Sequence, residues 1–468
     1  MAVSLRPGPP LRFVTPSMTP ALRRYIANEA GSAAVLLAAS VLALVWVNSP
    51  WSESYHHLWE LPVRMGIGDA VFELDLHHFV NDAAMAVFFM VVGLEVARET
   101  IAGELSDRRI MSVPAIGAVG GLCVPILIYL AINGLFGDGG EAMHGWGIVM
   151  SSDTAFVLGV LALFGPRCPD RLRLFLLALA VVDDIGAIAV MAIFYSDDIQ
   201  IVPLLVMIGI LALFLALRWI GVWRLEPYLA LTLALWFAAY ACGVHPTLAG
   251  VLAGLLIPAS SPESSRGREL VVFGRALIEN PSADGVRLAN LAASATVSAN
   301  QRLQSWLHPW SAFVVIPAFG LANAGVELSA ETLEAAATST VTIGVALGLI
   351  LGNGLGITAF SIAALRTGVG VLPGGVRYGH LFGAALLAGI GFTISLFITD
   401  LAFTDQLLRD EAKIGILVGS LVAAVIGAWA LRVMGERMPL CSPAGDSAPP
   451  ELPPLPWTAP QFPKAFGR

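Results

Sequence analysis

The chain has 468 residues, 57% of them hydrophobic and 13% charged, with a net charge of −8 and a mean hydropathy of +0.78. A soluble globular domain carries roughly 25% charged residues, so this composition excludes one, and without a basic patch it offers nucleic acid no footing. Four cysteines, Cys123, Cys168, Cys242 and Cys441, have no CxxC spacing and read as small core residues.

Residues 1–26 are proline-rich and basic and predict a cytoplasmic extension. The apolar run that follows is too long for the core of a signal peptide and is expected to stay as the first span. Apolar stretches of about 20 residues, enough for a helix to cross a bilayer, begin near residues 27, 79, 111, 146, 171, 200, 225, 244, 308, 340, 378 and 412. They predict an all-α polytopic membrane protein of about twelve transmembrane helices, filling residues 27–437. The polar stretch 260–301 predicts a cytoplasmic linker, and the proline-rich tail 438–468 a disordered cytoplasmic segment. On this count 23 of the 26 Lys and Arg fall on one side, with Arg64, Arg409 and Lys413 opposite. Cationic loops stay in the cytoplasm, so both termini are expected there.

Several charged and hydroxyl residues interrupt the apolar pattern. In Gly-Leu-Glu95-Val-Ala-Arg98-Glu99, the three charges share one helix face. They read either as interfacial ion pairs or as a funnel that attracts cations and senses protons. In Met-Ser-Ser152-Asp153-Thr-Ala-Phe, small hydroxyl residues surround a carboxylate. Such a cluster can open a helix and offer hard oxygen ligands to a small alkali cation, or it can be a packing face with Asp153 bound to backbone.

The strongest signal is Ala-Val-Val-Asp183-Asp184-Ile-Gly-Ala-Ile, two adjacent carboxylates in mid-span. An ionised Asp at a helix centre is unfavourable by roughly 2.5–3.5 kcal/mol, so the pair needs a polar cavity, a cation or protons. Adjacent residues point about 100° apart on a helix, which predicts unequal parts for the two. His245 and His308 lie at span ends, where a histidine can titrate near neutrality or be structural. Ala-Gly389-Ile-Gly391-Phe-Thr393-Ile-Ser is a second glycine-rich interruption, suited either to close packing or to pairing with the break at Asp153.

Together these motifs, with Asn81-Asp82-Ala-Ala-Met-Ala-Val-Phe-Phe, Gly-Val-His245-Pro-Thr-Leu-Ala-Gly, Leu-His308-Pro-Trp and Ala-Asn323-Ala-Gly, resemble the NhaA family of sodium/proton antiporters. The likeness runs from about Asn28 to Arg437. It implies inverted repeats with two broken helices crossing at the membrane midplane, an architecture for which this family is itself a reference case. By resemblance, Asp183 and Asp184 would bind the cation, with Ser152 and Asp153 at the first break and Gly389, Gly391 and Thr393 at the second. Glu95, Arg98 and Glu99, with Gln304, His308 and His245, would be the candidates for a pH response, and Asp82 would lie near the opposite entrance. Three positions depart from the family: Asn353 stands where studied members carry a lysine, and Gln304 and Ser305 replace a glutamate and a histidine.

The function so implied is exchange of Na+ or Li+ for protons, electrogenic if two acids release protons for one monovalent cation, across a bacterial inner membrane. No cofactor is expected beyond the transported ions, and a homodimer is left open. Three alternatives stand beside it. A sodium-coupled symporter would need a pocket for an organic solute. An intramembrane aspartyl protease would need Tyr-Asp and Gly-x-Gly-Asp signatures, which are lacking. A passive channel would need weaker binding than three clustered acids allow.

Overall fold

The computed structural model describes residues 20–437 except 68–69, 103–107, 138, 164–169, 196–199, 261–263 and 373–375. The proline-rich tail and residues 1–19 of the amino-terminal extension therefore lie outside the described residues. Among the described residues the fold is all-α save for one hairpin, because backbone in a bilayer must satisfy its hydrogen bonds within the segment.

Helix α1 (Pro20–Val47) is followed by the short α2 (Ser52–Trp59), which turns back by 119°. Strands β1 (Pro62–Ile67) and β2 (Ala70–Asp75) form an antiparallel hairpin with Pro62 opposite Asp75. Helix α3 (Leu76–Ile101) contains a π-helical turn at Phe79–Ala84. After α4 (Arg108–Phe136) comes a 3-10 segment (Gly140–Val149), then non-helical chain to Asp153, then α5 (Thr154–Leu163).

Next come α6 (Asp170–Phe194), α7 (Ile201–Ile220), α8 (Glu226–Cys242) and α9 (Thr247–Leu256). Helices α10 (Ser264–Glu279) and α11 (Ala283–Ala295) occupy the stretch expected to be a linker, so that linker is a helical pair. Helix α12 (Ala299–Trp310) runs through a π turn into α13 (Ile316–Asn323), and α14 (Ala330–Thr338) leads to the long α15 (Thr340–Arg366). Helices α16 (Tyr378–Leu387) and α17 (Phe392–Ala402) are bent by 46° at a break, and α18 (Gln406–Arg437) closes the bundle.

Among the described residues each expected span contains helix, and those near 146 and 378 are interrupted by non-helical chain. Among the described residues six helices are long and apolar enough to cross a membrane unbroken, and the others are short, bent or interrupted. Close approach is bought by small residues: a Cβ on Gly250 of α9 would strike the Ala86 carbonyl of α3, and one on Gly120 of α4 would strike the Gly356 carbonyl of α15. Helix α7 buries only Met207 and Phe214 and turns Ile201, Leu205 and Trp219 outward, as a lipid-facing helix does. Of the cysteines, Cys242 is buried as expected, but Cys123 is exposed on α4, facing away from the core it was expected to fill. Cys168 and Cys441 lie outside the described residues.

Candidate ion site at the crossing of two broken helices

Residues 150–153 are free of helix, which releases their backbone groups for other partners. Ser152 turns both donors on one acid: its amide and hydroxyl donate to Asp183 Oδ2 at 2.8 and 2.6 Å. Asp153 does the reverse work as an acceptor. Its Oδ1 takes the Phe156 amide at 3.1 Å, capping α5, and its Oδ2 takes the Thr393 amide at 3.0 Å, in the first turn of α17. One carboxylate thus sits at the positive ends of two half-helices, where negative charge is favourable.

The two breaks touch directly. The Asp153 amide donates to the Ile390 carbonyl, and Ser395 Oγ donates to the Ile148 carbonyl at 2.6 Å. This approach requires glycine at 391, where a Cβ would lie 2.9 Å from the Ser151 carbonyl oxygen. Gly389 is equally constrained, since a Cβ there would strike the Leu349 carbonyl.

Asp184 faces elsewhere. It lines a cavity of about 90 Å³ together with Glu95, Ser152, Asp153, Thr393 and His308. That volume admits several waters. At one end of α3, Arg98 donates to Gln304 Oε1 at 2.8 Å and pairs with Glu99 at 3.0 Å. Gln304 therefore keeps an acceptor for Arg98 while removing a charge. Ser305 is exposed and donates within its own turn, to the Arg302 carbonyl at 2.8 Å. Asn353 is buried, and its amide nitrogen has no hydrogen-bond partner among the described residues.

His245 does not join this group. It lies 3.5 Å from Asp82, and the Asp82 carbonyl accepts Trp236 Nε1 at 3.0 Å. Asp82 and Glu95 are 13 residues apart on one helix, about 20 Å along its axis. The candidates grouped from sequence thus divide between two ends of the molecule. Sequence reading also missed a largely buried pair beside Asn81, Asp400 and Lys413, 3.5 Å apart. The signal was there: Asp400 follows Thr393 by two helical turns, and Lys413 and Lys464 are the chain's only lysines.

The fold and the site define a class: a polytopic α-helical membrane transporter with carboxylates where two broken helices cross. A sequence profile described as Na+/H+ antiporter 1 matches residues 23–431, and the chain belongs to that family. It is 59% identical over 455 residues to "Na(+)/H(+) antiporter NhaA 3" of Frankia alni, covering 97% of each chain. It is 45% identical over 400 residues to "Na(+)/H(+) antiporter NhaA 1" of Mycolicibacterium vanbaalenii, covering 86% of this chain and 64% of that longer relative. Among solved structures, the sodium proton antiporter MjNhaP1 of Methanocaldococcus jannaschii aligns over 89% of this chain and 98% of its own, at 12% identity and a TM-score of 0.45.

Proposed function

We infer that this protein is a Na+/H+ antiporter that exports Na+ or Li+ in exchange for protons through Asp183 and Asp184. The observation that carries the reading is the unequal setting of the adjacent acids: Asp183 is bound by Ser152, and Asp184 stands on the wall of a cavity that Glu95, Asp153 and His308 also line. Exchange needs only that cation and protons compete for these carboxylates and that the site open to one side at a time. Asp153 holds the crossing together and sets its charge. Glu95, Arg98, Glu99, Gln304 and His308 form the cytoplasmic mouth, and Asp82 with His245 lies toward the opposite entrance. The membrane is the bacterial inner membrane, with both termini cytoplasmic.

The cavity volume speaks against a symporter, since about 90 Å³ falls well below the roughly 300–1,000 Å³ of a pocket for an organic solute. A protease dyad shares one proton between facing carboxyls, whereas Asp153 and Asp183 are each engaged by separate donors. Two protons entering for one monovalent cation leaving would move net charge, so exchange is electrogenic. An imposed membrane potential should change its rate in proteoliposomes.

Everted vesicles containing the protein, acidified inside, should lose their pH gradient when Na+ or Li+ is added, and Asp184→Asn should abolish the response. Silence toward both ions at neutral and alkaline pH, with folded protein, would end this reading.

A further inference from the structure

Packing sorts many of the helices into two sets. Helices α4, α15, α16, α17 and α18 pack on one another, and α3, α9, α12 and α13 do the same beside them. Thr393 and Ile394 of α17 in the first set and Glu95 and Val96 of α3 in the second line the cavity that also holds Asp184. At the far end the two sets meet. Phe397 of α17 packs against Phe89 of α3 at 5.5 Å and edge-on against His245 at 5.0 Å, with Phe319 of α13 at 6.2 Å. One turn further along α17, Asn81 Nδ2 of α3 donates to Asp400 Oδ2 at 3.4 Å.

Asp400 and Lys413 lie in one set, and both are mostly buried, with side chains 14% and 9% exposed. A charged pair in this setting is unfavourable to desolvate and needs each partner for the other. Asn81 and Asn323 lie in the other set and are also paired, with Asn323 Nδ2 donating to Asn81 Oδ1 at 2.8 Å. His77 Nε2 lies 3.1 Å from Asn323 Oδ1. Each side of the seam therefore keeps its own partners, and the single polar bond across it among the described residues can break without stranding a charge. That is the chemistry a reversible closure needs.

We propose that Asp400, charge-balanced by Lys413, is the latch of the seam that closes the far entrance while the cavity is open at the Arg98 end. Opening toward the far side separates Asp400 from Asn81 and withdraws Phe397, leaving the Asp400–Lys413 and Asn81–Asn323 pairs intact. Asp400 is a positioning residue and does not touch the transported ion in the closed seam. The proposal rests on the antiport reading above, through its need for alternating access.

The test places a reporter cysteine, Ala180→Cys on the cavity wall, in a cysteine-free background and applies a membrane-impermeant thiol reagent to each face of sealed vesicles. In the parent, labelling should come from the Arg98 face. Two variants release the seam differently: Asp400→Leu with Lys413→Met removes the pair together, so no buried charge is left alone, and Asn81→Ala leaves the pair in place. Both should gain labelling severalfold from the far face and lose it from the Arg98 face. A purely structural pair would leave sidedness unmoved in monodisperse protein, and unchanged labelling in both variants would overturn the latch. Exchange by the parent is measured in parallel. A parent without exchange sinks the antiport reading, whereas an exchanging parent with unmoved variants sinks the latch alone.

Discussion

Asp183 and Asp184 are neighbours in sequence that the helix sends about 100° apart, and each finds different chemistry. The donors on Asp183 make Ser152 the residue to remove. Hydrogen bonds to a charged acceptor contribute roughly 1.5–3 kcal/mol each. Ser152→Ala keeps the amide bond and loses the hydroxyl, so the KM for Na+ should rise about tenfold, with the maximal rate less affected, in vesicle assays. Asn353 presents the opposite case, a buried amide nitrogen without a partner. Its oxygen lies where a Cβ on Gly121 would come within 3.4 Å, at the crossing of α4 and α15. Asn353→Lys adds a cation to a segment that has none at that position, and it should displace the pH profile of exchange. Superimposable rates for parent and variant across a pH series would show that the position has no say in proton competition.

At the scale of elements, the breaks follow from residues that favour backbone bonding over helix. Ser151, Ser152 and Asp153 end the 3-10 segment, and Gly389 and Gly391 let the second break pass against it. A more ordinary helix start shows the same logic at the hairpin. Asp75 caps α3, its Oδ1 accepting the His78 amide and lying 2.7 Å from the His78 ring nitrogen. Partial burial opposes ionisation there, but the His78 amide and ring hydrogen bonds outweigh it and hold the Asp75 carboxyl below its usual range. The folded value lies below the unfolded one. The contribution is therefore present above about pH 4 and is lost as pH falls through the folded value. Asp75→Ala should cost about 0.5–1 kcal/mol, toward the lower figure because the carboxylate is 37% exposed. Faster amide exchange at His78 near neutral pH, converging with the parent in acid, is the expected record.

For the whole molecule, the helical pair α10 and α11 is an excursion from the bundle. The Asn300 amide donates to the Pro258 carbonyl at 3.1 Å, and Asn300 Nδ2 donates to the Leu94 carbonyl at 2.8 Å. The chain is thus pinched shut at its base, and among the described residues α10 and α11 pack chiefly on each other. Replacing residues 264–295 with a short Gly/Ser linker should leave Na+/H+ exchange within about threefold of the parent, because loop closure changes little with length. Loss of exchange in a folded variant would show instead that the excursion acts on the mouth beside Arg98 and Gln304.

The apolar runs, the position of the acids and the two glycine or serine breaks were all legible in the sequence, because bilayer insertion acts on local composition and on each buried charge separately. The hairpin was less legible, although polar Glu73 and Asp75 alternate with apolar Phe72 and Leu74 before α3. What only the tertiary structure decided was partnership: Ser152 with Asp183, Asp153 with the amide of Thr393, His245 with Asp82, Arg98 with Gln304, and Asp400 with Lys413. These pairs join residues up to 240 positions apart. Their geometry is fixed by helix crossings at small residues, and a charge count along the chain could assign Lys413 a side of the membrane but not its partner.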